Sequence, residues 1–236
     1  MKIRIKFSKH GAMKFVGHLD IMRYFQKAMR RADVDIKYSE GFSPHQIMSF
    51  AAPLGVGLTS NGEYLDIEVL STKDSRTMLK QLNDVMAEEV EVLQYRKLED
   101  SSKNAMSIVA AADYTVVFRE KSRPEDEVSF WNEFVSFCQG ESIKIIKKTK
   151  KSEKELNIRP LIYQVRPTGT GVFLQVSTGS SNNLKPELIL EAYYQAKGMN
   201  YPELAFQIQR EEVYANTGDE TSLNLVPLGD LGEDIE

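Results

Sequence analysis

Apolar and polar residues alternate at the start of the chain. Residues 2–8, KIRIKFS, place an apolar side chain at every second position, a period typical of a strand with one buried face. Residues 18–33 change to apolar side chains at three- and four-residue spacing, which predicts an amphipathic helix. Its expected buried stripe is Leu19, Met22, Phe25, Met29 and Ala32. The next elements predicted from these two periods are an extended piece at 36–39, a strand at 63–70, a helix at 75–88 and a strand at 91–97.

This order of elements is strand, helix, strand, strand, helix, strand. It is typical of the ferredoxin-like fold, in which two helices cover one face of a four-stranded antiparallel sheet. Residues 99–112 are first polar and then small, and such a stretch predicts a linker between two modules.

The same pattern returns more loosely after this linker. Strands are expected at 114–119, 142–146, 156–165, 171–177 and 205–214, and helices at 125–138 and 186–196. We therefore predict an α+β protein, a tandem of two ferredoxin-like modules with antiparallel sheets at residues 1–98 and 113–215. Residues 216–236 contain Asp and Glu but no Lys or Arg, which predicts an acidic and mobile tail.

The composition narrows the class of protein without naming a reaction. Apolar residues make up 42% of the 236 residues, which is enough to bury a core. The net charge of -4 argues against nucleic-acid binding through overall charge, although a local basic patch is compatible with it. The single cysteine, Cys138, excludes a disulfide framework within the chain. With no signal-peptide pattern and no apolar run long enough to cross a bilayer, the expectation is a cytoplasmic protein without a membrane partner.

Residues 17–57 concentrate ionisable, aromatic and backbone-shaping residues. His18 and Asp20 open the predicted helix, where His18 is either a general acid–base group or a histidine that fixes the helix start. His45 lies in a turn after Pro44, where it is either a binding residue or a solvated loop histidine. His18, His45 and Asp20 are also a weak alternative set of metal ligands, without the tight spacing of a known motif. No resident metal or cofactor is expected.

Two groups of basic residues are candidates for nucleic-acid contact. Arg23, Lys27 and Arg30 lie at helical spacing opposite the apolar stripe, either as a row that tracks phosphates or as an ordinary solvated face. The second group, in the other module, comprises Lys147, Lys148, Lys150, Lys151 and Arg159. Tyr38 and Phe42 are the candidates for stacking on nucleobases.

One long segment carries a resemblance to a known family. Residues 18–57, HLDIMRYFQKAMRRADVDIKYSEGFSPHQIMSFAAPLGVG, resemble an uncharacterised bacterial family of radical-SAM-linked proteins. Shorter similar segments are SNGEYLDIEV at 60–69, KELNIRPLIYQV at 154–165, KPELILEAY at 185–193 and IQREEVY at 208–214. Members of that family commonly read GFNPHPK where this chain has GFSPHQ at 41–46. The second proline and the following cation are therefore lost, which weakens phosphate binding at this turn.

The resemblance implies a radical-SAM enzyme as a partner and RNA maturation as the setting. Family members occur alone or fused behind a radical-SAM domain, often encoded near an RNA-processing ribonuclease. This chain has no Cys-x3-Cys-x2-Cys motif, so it cannot ligate the iron–sulfur cluster of such an enzyme.

We therefore expect an RNA-binding accessory protein that presents a substrate to a radical-SAM enzyme in tRNA or rRNA maturation. One alternative is an RNA-processing or RNA-modifying enzyme that uses His18 or His45. Another is a module that binds a metal or a small molecule near Tyr38 and His45. The sequence names neither the RNA nor the oligomeric state.

Overall fold

The computed structural model describes residues 1–148, 153–180, 182–219 and 222–236. In these residues the protein is a mixed α/β structure with five helices and a large, mostly antiparallel sheet. The helices are α1 (His18–Arg31), α2 (Ser75–Asn83), α3 (Ala105–Ile108), α4 (Glu127–Cys138) and α5 (Pro186–Ala196). The strands are β1 (Lys2–Lys9), β2 (Met48–Phe50), β3 (Thr59–Glu68), β4 (Val92–Leu98), β5 (Val109–Phe118), β6 (Lys144–Lys148), β7 (Glu153–Asn157), β8 (Ile162–Pro167), β9 (Gly171–Ser177), β10 (Phe206–Asn216) and β11 (Leu225–Pro227). No helix in this described part of the chain is long and apolar enough to cross a membrane.

The chain forms two compact units, and the first of them is discontinuous in sequence. Unit 1 comprises residues 1–110 and 210–236, and unit 2 comprises residues 111–209. The predicted modules, 1–98 and 113–215, have boundaries that differ from this division. The expected linker at 99–112 contains α3 and the first residues of β5. Strand β10 also begins in unit 2 and ends in unit 1.

The sheet of unit 1 follows the order β4-β1-β3, and β2 is also paired with β3. All of these pairs are antiparallel. Ile5 lies opposite Leu65 on β3 and Tyr95 on β4, so the apolar side chains of three strands share one face. Residues of α1 and α2, such as Phe25 and Leu82, pack on this face and complete a single apolar core.

Helix α1 buries most of the predicted stripe, since Phe25, Met29 and Ala32 are buried and Met22 packs against the core. Its buried residues are Ile21, Phe25, Ala28 and Met29. Leu19 was expected among them but is 62% exposed. The correction follows from helix geometry, because the spacing of the buried residues fixes one face and Leu19 falls beside Arg23, on the exposed side.

The C-terminal segment, predicted to be a mobile tail, packs on unit 1 in its described part. Strand β11 pairs with β10, and Leu228 is fully buried. Arg96 on β4 forms ion pairs with Asp230 at 3.0 Å and Asp234 at 3.2 Å. Lys97 and Glu233 form a β-bridge. Two of the acidic residues that had suggested a mobile tail therefore form ion pairs with Arg96 on β4.

A buried arginine joins this segment to the sheet. Arg4 on β1 is 1% exposed and donates from Nε and Nη2 to the two carboxylate oxygens of Asp66 on β3, at 2.8 and 2.9 Å. Its Nη1 donates to the carbonyl oxygen of Leu228 at 3.1 Å. Asp66 also accepts the backbone N–H of Ala105 at 2.8 Å. One ion pair thus connects β1, β3, α3 and the C-terminal segment.

In unit 2 the sheet follows the order β5-β9-β8, and the start of β10 lies beside β5. Helices α4 and α5 pack an aromatic cluster on this sheet. Its rings include Phe118, Phe130, Trp131, Phe134, Tyr193 and Phe206. Strands β6 and β7 pair with each other in a separate two-stranded sheet.

Two sequence predictions in unit 2 need correction. The strand predicted at 156–165 is interrupted by a 3-10 turn at Arg159–Leu161, because Pro160 has no N–H to contribute to a strand ladder. Residues 147–155, where no strand or helix was expected, contain in their described part the end of β6 and the start of β7.

Candidate functional site

His18 lies at the first position of α1, directly after the N-cap residue Gly17. It does not occupy the N-cap position, which belongs to Gly17, a residue without a side chain that could accept a hydrogen bond. Its ring meets the edge of Phe50 with centroids 5.3 Å apart, and it lines a small cavity. Among the described residues, the His18 side chain has no hydrogen-bond partner, so the interpretation of a histidine that fixes the helix start by hydrogen bonding is not what the structure shows.

Lys9 lines the same cavity from the end of β1. The pairing of β1 with β3 shifts register between Phe7 and Lys9, and irregularities of this kind redirect a side chain. Only 3% of Lys9 is exposed. Its ammonium donates to the carbonyl oxygen of Val16 at 2.9 Å. Val16 directly precedes Gly17, so the Lys9 amine lies close to the N-terminus of α1.

Glu63 on β3 completes the cavity wall and is also buried. Both of its carboxylate oxygens accept hydrogen bonds from Arg210 on β10, one of them from Nε at 2.7 Å. Arg210 donates further to the carbonyl oxygen of Ala52 at 2.7 Å. The ion pair therefore ties β3, β10 and the loop after β2 together at the back of the cavity.

This environment changes the chemistry of the Lys9 amine. Burial lowers the pKa of Lys9 from the ordinary lysine value, and the Arg210 charge lowers it further, while the Glu63 carboxylate acts in the opposite direction. A buried amine with a lowered pKa is easier to deprotonate than a surface lysine. Perturbed amines of this kind are frequent at functional sites, which makes Lys9, His18 and Glu63 the best candidate cluster for chemistry.

Replacing Lys9 with Met is expected to stabilise the folded protein by about 1 kcal/mol at neutral pH. The reason is that the folded state holds a charged amine that the unfolded chain would hydrate. Because the folded pKa is lowered, the cost is present below that pKa and disappears as the pH rises toward the ordinary lysine value. Urea unfolding of both proteins at pH 7 and pH 10 measures the effect. A gain at pH 7 that persists unchanged at pH 10 would contradict the explanation.

His45 lies on a second, larger cavity of unit 1. The cavity measures about 440 Å³, and its lining includes Lys2, His45, Met48, Leu98 and Lys103. The ring Nδ1 of His45 lies 2.9 Å from the Ser39 hydroxyl, and the same hydroxyl oxygen accepts the His45 backbone N–H at 3.1 Å. These bonds fix the turn and leave His45 exposed. A volume of this size is in the range of small-molecule sites.

The two histidines do not form a common site. His18 and His45 line different cavities, and Asp20 forms an exposed ion pair with Arg23 at 3.2 Å. Nowhere in the described ranges do three or more His, Cys, Asp or Glu residues form a group that could hold a metal ion. The alternative of a metal site built from His18, His45 and Asp20 therefore has no support in the geometry.

The candidate nucleic-acid residues of unit 1 are all on the surface. Arg23, Lys27 and Arg30 are exposed on α1. Tyr38 is 46% exposed, and Phe42 is 111% exposed at the tip of its turn. The structure thus presents three cations and two aromatic rings to solvent.

The second predicted basic group is only partly described. Lys147 and Lys148 lie in β6 without described side chains, and Lys150 and Lys151 lie outside the described residues. Arg159 lies in the 3-10 turn rather than in a strand, and donates to the carbonyl oxygens of Gly140 at 3.1 Å and Ile162 at 2.9 Å. It therefore holds local backbone in place.

Cys138 belongs to the interior of unit 2. It is a free, fully buried cysteine at the end of α4. Burial raises the pKa of its thiol to about 12, so the reactive thiolate is scarce at neutral pH. Cys138 is therefore a packing residue.

Lys9, Glu63 and Arg210 were not among the residues singled out from the sequence. The sequence does contain a signal for them. Each of these charged residues stands at one of the alternate strand positions that are otherwise occupied by buried apolar residues. Lys9 continues the series of Ile3, Ile5 and Phe7, Glu63 precedes Leu65 and Ile67, and Arg210 follows Phe206 and Ile208. A charged residue at an inward position of a strand is a candidate for a buried ion pair or a functional group. The pairing of Glu63 with Arg210, 147 residues apart in the chain, has no local signal.

Comparison with known proteins gives one match and one negative result. The chain matches, over residues 2–186, a family described as uncharacterized protein conserved in bacteria (DUF2344). No curated protein matches the chain. The matched residues cover most of the chain, including Lys9, His18, Glu63 and the exposed surface of α1. The chain therefore belongs to the DUF2344 family of uncharacterized proteins conserved in bacteria.

Proposed function

We propose that this protein is a cytoplasmic, RNA-binding accessory protein that presents tRNA or rRNA to a radical-SAM enzyme during RNA maturation. The observation that carries the RNA-binding part is the exposure of three cations on α1 and of two aromatic rings on the turn that Gln46 attaches to this helix. RNA-binding surfaces combine such cations, which contact phosphates, with rings on which unpaired bases stack.

A buried glutamine positions the aromatic turn beside the basic row. Gln46 is 5% exposed, and its side-chain amide donates to the carbonyl oxygen of Gln26 on α1 at 3.2 Å. Gln26 is three residues after Arg23 and four residues before Arg30, so these residues lie on the same side of the helix. The turn that carries Tyr38 and Phe42 is therefore attached next to Arg23 and Arg30, which favours one continuous surface.

The radical-SAM partnership is inferred from the resemblance of residues 18–57 to radical-SAM-linked proteins. The chain has a single cysteine, and that cysteine is buried in unit 2. A partner must therefore supply the cysteine-bound cluster. A reduced, cytoplasmic setting is consistent with a free cysteine.

We further propose that each unit is a ferredoxin-like module. The strand order in unit 1 is β4-β1-β3 with β2 paired to β3, and the order in unit 2 is β10-β5-β9-β8. Both correspond to the 4-1-3-2 order expected of a βαββαβ unit. In unit 2, the β6–β7 hairpin is then an insertion between the first helix and the second strand.

Charge reversal at two positions of α1 is expected to weaken RNA binding at least about tenfold. Arg23→Glu/Arg30→Glu removes two exposed cations, and each lost phosphate contact should reduce the salt slope of binding by about 1. Fluorescence anisotropy with labelled tRNA and with a single-stranded oligonucleotide, at several salt concentrations, measures both quantities.

The matched control is Arg76→Glu/Lys80→Glu on the exposed surface of α2. This control changes the net charge by the same amount. If RNA binds specifically to the α1 surface, the control variant should keep most of its RNA affinity. Equal losses of RNA affinity in both double variants would show that the protein's overall charge, and not the α1 surface, determines binding. An unmodified protein that binds neither RNA, or binds without a salt slope, would overturn the proposal.

The cluster of Lys9, His18 and Glu63 favours one second candidate function, an RNA-processing enzyme. In it, His18 would act as the acid–base group and the Lys9 ammonium would stabilise developing negative charge. Incubation of purified protein with cellular RNA, followed by end-mapping, tests this candidate. Processing that is absent, or that proceeds equally fast in His18→Ala, would remove it.

A further inference from the structure

The small cavity beside α1 brings together hydrogen-bond donors that have no acceptor among the described residues. It measures about 20 Å³ and is lined by Phe7, Lys9, His18, Phe50, Leu54 and Glu63. This volume has room for about one water-sized group. The walls are mostly apolar, so any group that enters loses water and must find its hydrogen bonds here.

Lys9 brings unsatisfied donors to this cavity. A lysine ammonium has three N–H donors, and among the described residues the only acceptor of Lys9 is the carbonyl oxygen of Val16. Glu63 accepts no hydrogen bond from Lys9 among the described contacts, and its carboxylate is paired with Arg210. Buried donors without acceptors are costly, and a negatively charged group would satisfy them.

The start of α1 adds further donors at the same place. Its N-cap residue is Gly17, which has no side chain to cap this end. A side chain built on Gly17 would meet no atom within 4 Å, so there is open space beside the helix start. Asp20 and Ile21 donate their backbone N–H groups to the Gly17 carbonyl oxygen, which leaves those of His18 and Leu19 as the available donors among the described contacts. Unpaired N–H groups and the helix dipole favour an anion. His18, which has no hydrogen-bond partner in the described structure, contributes a third type of donor.

We propose that this cavity binds the terminal oxygen of a phosphate monoester, held by Lys9, His18 and the N-terminus of α1. A phosphate within an RNA strand carries a ribose on each side and one negative charge, whereas a terminal phosphate carries a ribose on one side only and about -1.5 to -2 charges at pH 7. The terminal phosphate therefore matches a buried ammonium group better, and it meets the cavity with less steric hindrance. The inference rests on the proposed function and deepens it, because the ligand becomes a phosphorylated RNA end. The same chemistry would also accept a free nucleoside monophosphate.

The test compares one single-stranded oligonucleotide in three forms, with a 5′ phosphate, with a 3′ phosphate, and with hydroxyls at both ends. Anisotropy measures the three affinities, and thermal unfolding with AMP or adenosine tests the free monoester. We expect one phosphorylated form to bind about tenfold or more tightly than the hydroxyl form, as a group held by charge-assisted hydrogen bonds should.

Two variants remove the site by different means. Lys9→Met removes the amine, and Gly17→Asp adds a carboxylate that caps α1 in place of the anion. Gly17 has φ -73 and ψ 167, values that Asp adopts without strain, so this variant is expected to fold. Lys14→Met and Ala12→Asp repeat the same chemical changes outside the cavity lining and should keep the preference for phosphate.

Each outcome supports or overturns the inference. Preference lost in Lys9→Met and Gly17→Asp but kept in the controls supports it. Equal affinity for all three oligonucleotides, still dependent on Arg23 and Arg30, overturns it and leaves the proposed function intact. Stabilisation by AMP but not adenosine, lost in Gly17→Asp, with no RNA binding, supports the phosphate site and overturns the RNA function. If the protein neither binds RNA nor is stabilised by AMP, the phosphate site and the proposed RNA function are both overturned.

Discussion

Replacing Asp66 with Asn is expected to lower the free energy of unfolding by about 3–5 kcal/mol. Asp66 is the carboxylate partner of Arg4, and Arg4 is 1% exposed. The substitution keeps the size of the side chain and removes its charge, so the guanidinium remains in the interior without a counter-charge. A buried ion pair contributes little compared with an apolar pair, but breaking one partner is costly for this reason.

The location of Asp66 enlarges the effect. Its carboxylate also accepts the backbone N–H of Ala105, and Arg4 also binds the carbonyl oxygen of Leu228. An Asn side chain offers one acceptor and an N–H group that faces the donors of Arg4. The start of α3 and the C-terminal segment are therefore expected to loosen together with the ion pair.

Glu68→Gln is the matched control for this experiment. Glu68 lies two residues further along β3 and pairs with Lys37 at 2.9 Å, but both side chains are substantially exposed. Exposed pairs contribute about 0–1 kcal/mol, so the control should unfold almost like the original protein. Urea and thermal unfolding measure both variants, and Asp66→Asn should unfold about 10 °C lower. Equal and small losses in the two variants would show that the buried pair is no more important than the surface pair.

Replacing Glu63 with Gln is expected to have an effect of similar size, about 3–5 kcal/mol. Glu63 is 5% exposed and binds Arg210 with both oxygens. It also opposes the charge of Lys9. Removal of this one negative charge therefore leaves the buried cations Lys9 and Arg210 without a neutralising carboxylate.

A double-mutant cycle with Lys9→Met separates these contributions. If the Glu63 carboxylate stabilises Lys9 as well as Arg210, Glu63→Gln should be less destabilising in the Lys9→Met background, with a coupling of about 0.5–3 kcal/mol. Urea unfolding of the two single variants, the double variant and the original protein gives the coupling. A value of zero would mean that Lys9 and Glu63 act independently.

Much of unit 1 was predictable because its periodicity is strong. The alternation of residues 2–8 corresponds to β1, and the helix predicted at 75–88 corresponds to α2, which ends earlier, at Asn83. The helix containing His18 was also predicted, but Leu19 lies on its exposed side. An apolar residue in a first turn fits the spacing of a buried stripe, and only packing decides on which side it lies.

The site was harder to predict than the fold for two reasons. The turn of residues 38–46 was identified from its Gly, Pro and aromatic residues, whereas its attachment to α1 depends on Gln46, whose partner on the helix has no sequence signal. Arg210 reaches Glu63 from a strand near the other end of the chain. Tertiary contacts at such separations are fixed by the sheet order and not by any local pattern.

The discontinuity of unit 1 has a consequence for the order of events during synthesis. The ribosome makes the first 110 residues of unit 1, then all of unit 2, and only afterwards the residues from Arg210 onward. At about 5–20 residues per second, translation of the intervening segment takes roughly 5–20 s. During that time Glu63 and Arg4 lack Arg210 and the Leu228 carbonyl. Because β10 begins in unit 2 and ends in unit 1, its emergence from the ribosome supplies the last strand residues of unit 2 and, directly afterwards, Arg210 for the cavity beside His18.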